Sequence, residues 1–287
     1  MINFGGLPEH PQFAQSRFVV LSVPFDGTAS YVSGTRRGPR AIIEASTHME
    51  LWDEELNREP QESGIHTLRP LAKLPSDPEA MTERVFQAAR PIVKAGKIPV
   101  TLGGEHTVSL GSIRACCERY PDLWVLQFDA HGDLRADFED SAYSHACVMR
   151  RVHDLGIPFA QVGIRSICQE EAQFIRASLP EPFWMHALPE PRELARHLAV
   201  RMRGPLYITF DVDALDPGIM PATGTPEPGG LSYRGALEIL KEVCGRFPVV
   251  GFDMVELSPI PGLVAPDFLA ARLTYKMMAY STATEKF

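Results

Sequence analysis

Phe128-Asp129-Ala130-His131-Gly132-Asp133 closes an apolar run with two carboxylates and an imidazole at alternate positions. In an extended backbone alternate side chains project from one side, so this segment would present hard oxygen and borderline nitrogen donors together. Phe210-Asp211-Val212-Asp213 repeats the pattern with two more carboxylates, and Gly103-Gly104 leads into Glu105 and His106. His106, Asp129, His131, Asp133, Asp211 and Asp213 thus offer six oxygen or nitrogen donors from three strand ends, the composition of a site for a pair of divalent metal ions. Mn, Mg, Zn and Fe all suit such donors. Each cluster alone is also what a helix cap or a turn produces. Together, so many carboxylates would repel one another and lose hydration unless cations offset them. The metal reading therefore requires the three strand ends to be neighbours.

The elements that would make them neighbours alternate regularly. Segments rich in β-branched and aromatic residues fall at 18–23, 64–68, 98–102, 123–128, 159–164, 183–186, 206–210 and 249–254. Amphipathic helical patterns are expected near 39–55, 78–95, 108–119, 192–203, 232–245 and 266–280. This alternation predicts a three-layer α/β fold, a mostly parallel eight-stranded sheet with helices on both faces, in one domain over 1–287. In such sheets ligands collect beyond the carboxyl ends of the strands, where strand order switches direction. All the acidic clusters follow their strands at that end. The Pro-, Gly- and Thr-rich segment 219–230 reads as an irregular loop over the same edge.

Composition narrows the partners. A formal net charge of -8 argues against a general nucleic-acid surface and modestly favours small cations as ligands. No apolar run reaches the length of about 18 residues needed to span a bilayer, and the amino terminus lacks the pattern of a signal peptide. A cytoplasmic protein without a membrane partner is the expectation. The five cysteines form no Cys-x-x-Cys pair and are expected to be reduced, structural thiols.

The ordered set Gly103-Gly104-Glu105-His106, Asp129-Ala130-His131-Gly132-Asp133, Ser144-His145-Ala146, Asp211-Val212-Asp213 with Leu215-Asp216-Pro217, and Val255-Glu256 resembles the ureohydrolases, the manganese enzymes that include arginase, agmatinase and guanidinobutyrase. Ser33-Gly34-Thr35-Arg36-Arg37-Gly38-Pro39 and Gly163-Ile164-Arg165-Ser166 look like the agmatinase branch. The resemblance implies two ions, Mn²⁺ by family habit. One would be held by His106, Asp129, Asp133 and Asp211, and the other by Asp129, His131, Asp211 and Asp213. It further implies that Glu256 grips a guanidinium, that Asp133 passes a proton from the attacking water to the leaving nitrogen, and that His145 shuttles protons to solvent. Thr225 either hydrogen-bonds the guanidinium or only positions its loop.

Such an enzyme would cleave a guanidino group to urea and an amine, with agmatine going to putrescine as first choice. Arginase or guanidinobutyrase activity, or a non-catalytic member that binds ligand, are the alternatives. Arg135 bears on this choice: it is expected to pair outside the pocket with Asp137 or Glu139, because turned inward it would attract a carboxylate and repel an ammonium. Glu105, where many members carry Asp, and Ala146-Cys147, where many carry Gly-Thr, depart from the family pattern. A homotrimer or homohexamer is the assembly the family implies.

Overall fold

The computed structural model describes residues 2–8 and 10–282; Met1, Glu9 and 283–287 of the expected 1–287 unit lie outside the described residues. Eight strands join in one sheet: β1 (Phe18–Val23), β2 (Ile65–Thr67), β3 (Ile98–Gly103), β4 (Trp124–Phe128), β5 (Phe159–Ile164), β6 (Phe183–Trp184), β7 (Leu206–Asp211) and β8 (Val249–Val255). Their spatial order is β2-β1-β3-β8-β7-β4-β5-β6, and every pairing is parallel. All eight expected segments are therefore strands. The sixth is shorter than expected because the chain turns into a 3-10 helix at Met185–Ala187.

Parallel strands buried on both faces need apolar residues at successive positions, and these strands have them. In β1, Phe18 and Val20 face a layer made by α1 (Gly38–Ser46), α6 (Pro191–Arg201), α7 (Tyr233–Cys244) and α8 (Ala265–Ser281). Val19, Leu21 and Val23 face the opposite layer, made by α2 (Pro78–Lys94), α3 (Ser109–Arg119), α4 (Val148–Asp154) and α5 (Gln169–Ser178). Helix starts follow capping chemistry: the Asp77 carboxylate accepts the Ala80 N–H at 2.7 Å and the Ser232 hydroxyl accepts the Gly235 N–H at 3.0 Å.

Two expectations change. The helix expected over 39–55 ends at Ser46. There the Ser46 and Thr47 hydroxyls donate to the Ile43 and Glu44 carbonyls, and Asp53, Glu54 and Glu55 gather instead around the Lys276 ammonium of α8. The helices α4 and α5 were not expected. The first is only seven residues long, and the second buries little beyond Ile175 and Glu171, so neither displays a broad apolar stripe.

Strands β3 and β4 are consecutive in sequence, yet β8 and β7 lie between them. The late strands fill the gap at which the sheet's order switches. The acidic clusters follow these four adjacent central strands, so the carboxyl ends of all four open on one edge. No helix among the described residues is long and apolar enough to cross a membrane.

Candidate metal centre and active site

His106 begins a 3-10 turn, His106–Val108, directly after β3. Gly104 precedes it because a Cβ there would collide with the backbone of Phe25. The His106 ring is oriented from behind: Nε2 lies 2.8 Å from the Thr209 hydroxyl, which donates in turn to Asp253 Oδ1 at 2.8 Å. Asp253 Oδ2 accepts the Tyr207 hydroxyl at 2.9 Å. With its proton committed to Asp253, Thr209 accepts from Nε2–H, and the lone pair of His106 is left on Nδ1. That nitrogen is buried without a hydrogen-bond partner among the described residues, yet lies 2.9 Å from Asp133 Oδ2, 3.1 Å from Asp129 Oδ2 and 3.5 Å from Asp211 Oδ2. A lone pair and three carboxylates converging on one point are mutually repulsive unless a cation sits among them.

A second group stands beside the first. His131 Nδ1 lies 2.9 Å from Asp213 Oδ2 and 3.6 Å from Asp129 Oδ1. The donor atoms of His106, Asp129 and Asp133, and again of Asp129, His131 and Asp213, each lie within 4.8 Å of one another, with Asp129 common to both. Asp211 adjoins the first group through His106, while the compact second group forms without it. Backbone and side-chain donors aim the carboxylates. The Asp129 oxygens accept His131 N–H at 2.6 Å and Gln127 Nε2 at 2.7 Å, and Asp213 Oδ1 accepts Ala130 N–H at 3.0 Å. Gln127 is held by Gln161 of β5.

The expected strand alternation is corrected in detail. Asp129 and Asp211 do sit at strand ends, but Asp133 is carried by a residue with φ 53° and Asp213 by the 3-10 turn Val212–Ala214. Glu256 also has φ 63°. Left-handed conformations are costly for such residues, and the hydrogen-bonded surroundings hold them there.

Burial and mutual repulsion of the carboxylates set the charge of the cluster. Burial, reinforced by the Asp129 charge, pushes the Asp133 carboxyl up to about 7, and burial beside Asp213 and Asp129 holds Asp211 well above the carboxylate range. Burial alone would lower His131, but the Asp213 charge outweighs it and raises the imidazole to about 12. Burial opposes the charged form of His106 too, yet the Asp129 and Asp133 carboxylates facing its Nδ1 raise it well above its ordinary value. The cluster draws positive charge to itself, as a site for two divalent cations must, and cations would displace these protons.

The remaining candidates line the same cavity, of about 310 Å³. Glu256, buried, accepts the His106 N–H at 2.6 Å, and burial followed by the nearby Glu105 charge holds its carboxyl well above the usual range. His145 opens the turn His145–Cys147, with Nδ1 3.3 Å from Thr28 Oγ1 and Nε2 3.3 Å from Ser30 Oγ. Burial, and then the positive charge at His106 and His131, lowers its imidazole to about 4. Thr225 lies on the wall beside Gly224. Arg135 is a correction: it does not pair with Asp137 or Glu139 but lines the cavity, its guanidinium 5.0 Å above the Phe138 ring. A planar cation gains more on an aromatic face than from an exposed flexible carboxylate.

Thr209, Asp253, Gln127, Gln161 and Thr28 were not singled out from sequence. The first four had a signal, since polar residues inside central strands that are otherwise apolar need a buried polar purpose.

Fold and donor set together define a metal-dependent hydrolase of the arginase type, and comparison places the chain accordingly. The family model described as "Arginase family" matches residues 16–279, and the chain belongs to that family of guanidino hydrolases, whose chemistry depends on two metal ions. It is 40% identical over 275 residues to an N(1)-aminopropylagmatine ureohydrolase of Synechocystis sp., covering 93% of this chain and 90% of that protein. It is 34% identical over 243 residues to an agmatinase of Pyrococcus horikoshii, covering 84% and 83%. The solved agmatine ureohydrolase of Thermoplasma volcanium superposes with a TM-score of 0.84 at 29% identity, covering 94% of this chain and 91% of that one.

Proposed function

We propose that this protein hydrolyses the guanidino group of a linear guanidino-amine, agmatine or its N1-aminopropyl derivative, to urea and the corresponding amine. The supporting observation is the His106 nitrogen, without a hydrogen-bond partner among the described residues, facing Asp129, Asp133 and Asp211 beside the buried Glu256. His106, Asp129, Asp133, Asp211, His131 and Asp213 would hold two divalent ions, Mn²⁺ in our reading. When bound, these ions supply the charge that makes water nucleophilic near neutral pH.

The chain's own groups do the rest. A guanidinium is resonance-stabilised and permanently protonated, so its carbon resists attack until it is held and oriented. Glu256 suits this task, because two carboxylate oxygens match parallel N–H donors and a cationic substrate restores the charge that burial removes. Asp133, facing the same point as His106, carries a proton toward the departing amine, which cannot leave unprotonated. His145, at the cavity wall, exchanges protons with solvent. Thr225 contributes a hydroxyl to the wall facing the substrate.

Arg135 favours a second reading, in which the far end of the substrate is a carboxylate, as in 4-guanidinobutyrate. The two are separated by loading the purified protein with Mn²⁺ and measuring urea from agmatine, N1-aminopropylagmatine, arginine and 4-guanidinobutyrate. The guanidino-amines are expected to react fastest; turnover of the carboxylated compounds alone would overturn the assignment. We further propose a cytoplasmic homotrimer or homohexamer, supported by the exposed apolar residues Ile260 and Val264, which line one groove.

A further inference from the structure

We propose that Thr28 and Glu105 are positioning residues that fix the tautomer of His145, placing its proton on Nδ1 and turning the Nε2 lone pair toward the cavity. Glu105 is fully buried, and its Oε2 accepts the Thr28 backbone N–H at 2.8 Å. Its Oε1 lies 2.6 Å from Thr28 Oγ1. A hydroxyl has one proton, and a carboxylate can only accept, so the Thr28 proton goes to Glu105. Toward His145 the same oxygen is then an acceptor. It takes the His145 backbone N–H at 3.0 Å and lies 3.3 Å from Nδ1. The neighbouring Ser144 hydroxyl, also 3.3 Å from Nδ1, is free to accept as well. Among the described residues, the opposite nitrogen, Nε2, has the Ser30 hydroxyl at 3.3 Å before the cavity.

The arrangement has a consequence because burial disfavours the charged form of His145, and a neutral imidazole has one ring proton to place. A group that moves protons works through whichever nitrogen faces the reacting molecule, and an orienting partner behind it decides whether that nitrogen accepts or donates. Here the partner is a hydroxyl backed by a buried carboxylate. The same two residues tie the loop carrying Thr28 and Ser30 to the strand end carrying His106.

The inference rests on the proposed guanidino hydrolysis for its kinetic readout alone, since the tautomer can be read without turnover. The probe is ¹⁵N NMR of protein labelled at histidine, loaded with diamagnetic Mg²⁺, with His145 assigned by the signal lost in His145→Asn. The wild type is expected to carry the proton on Nδ1. In Glu105→Gln the amide oxygen must face the Thr28 N–H, so its NH2 points at Thr28 Oγ1. The hydroxyl then turns to donate to Nδ1, and the imidazole proton moves to Nε2. Thr28→Val removes the relay at nearly constant shape and should leave a mixture of tautomers, which Thr28→Ser resolves back to Nδ1–H. Urea release should fall ~10-fold or more in kcat for Glu105→Gln and Thr28→Val, with KM changed less than about twofold, and recover in Thr28→Ser.

Glu105 adjoins His106, so metal content is measured in each variant, and Thr28→Val keeps the test decisive if Glu105→Gln fails to fold. A wild-type proton on Nε2, or an Nδ1–H signal unmoved by both substitutions, overturns the proposal. The expected tautomers with no urea from any guanidino substrate would leave the positioning role standing and defeat the hydrolase assignment instead.

Discussion

Two groups of acidic residues converge in this protein, one around an ammonium and the other around a pair of imidazoles, and their carboxyls are held differently. Asp53, Glu54 and Glu55 surround Lys276, whose Nζ lies 3.0 Å from Asp53 Oδ2 and 3.5 Å from a carboxylate oxygen of each glutamate. Burial alone would raise Glu55, but hydrogen bonds from Lys241 and Tyr280 outweigh it and hold the carboxyl below its usual value. At the strand ends, Asp133, Asp211, Asp213 and Glu256 are all pushed upward, burial first and neighbouring carboxylates next. One group carries its own ammonium and is complete. The other is arranged around cations that the chain does not supply, and that deficit of positive charge distinguishes a metal centre from structural ion pairing.

The contrast can be broken most severely at the carboxylates facing His106. Asp211→Asn should abolish metal retention and urea release together, a loss beyond the ~10–100-fold that removing a supporting hydrogen bond costs. Metal analysis beside a urea assay checks it, and retained metal with full activity would erase the distinction. His145→Ala should keep its metal and lose ~10²–10⁴ in kcat, because it removes proton movement and leaves the cation site intact. Unaltered turnover at every pH would remove the assigned role.

Proton competition sharpens the comparison. In chelated protein Asp133 is raised to about 7, so its stabilising contribution is present below the ordinary carboxyl value and lost as pH rises through about 7. His131, raised to about 12, likewise loses its contribution as pH climbs above the ordinary imidazole range. Bound cations take the place of these protons. The melting-temperature gap between Mn²⁺-loaded and chelated protein should therefore widen from about pH 6 to about pH 8; a constant or shrinking gap would contradict the charge assignment. The smallest effect on turnover is expected at the other group. Lys276→Met strands the buried Asp53 carboxylate and should cost ~3–5 kcal/mol of stability by denaturant titration. Metal content and the kcat of the folded fraction should not move.

Much of the site could be read from the chain because metal donors are chemically conspicuous. Asp129, His131, Asp211 and Asp213 stand in short motifs, and the parallel sheet makes their shared edge inevitable. What escaped depends on distant partners. Residues 53–55, expected in the helix that ends at Ser46, are placed by Lys276, more than 220 residues on along the chain. Arg135 is held by a ring face rather than by a carboxylate, and sequence favours charge pairing over stacking. Asp133 and Glu256 reach the cavity through left-handed residues, which a period-two pattern cannot anticipate. Thr28 acquires its role from Glu105 and His145, 77 and 117 positions away.

The most direct test of the central claim is the number of divalent ions the folded chain holds. Protein stripped with a chelator, saturated with Mn²⁺ and dialysed should retain two ions per chain by elemental analysis, with urea release appearing as they are taken up. Retention of no metal, or urea release undiminished in the stripped protein, would contradict it.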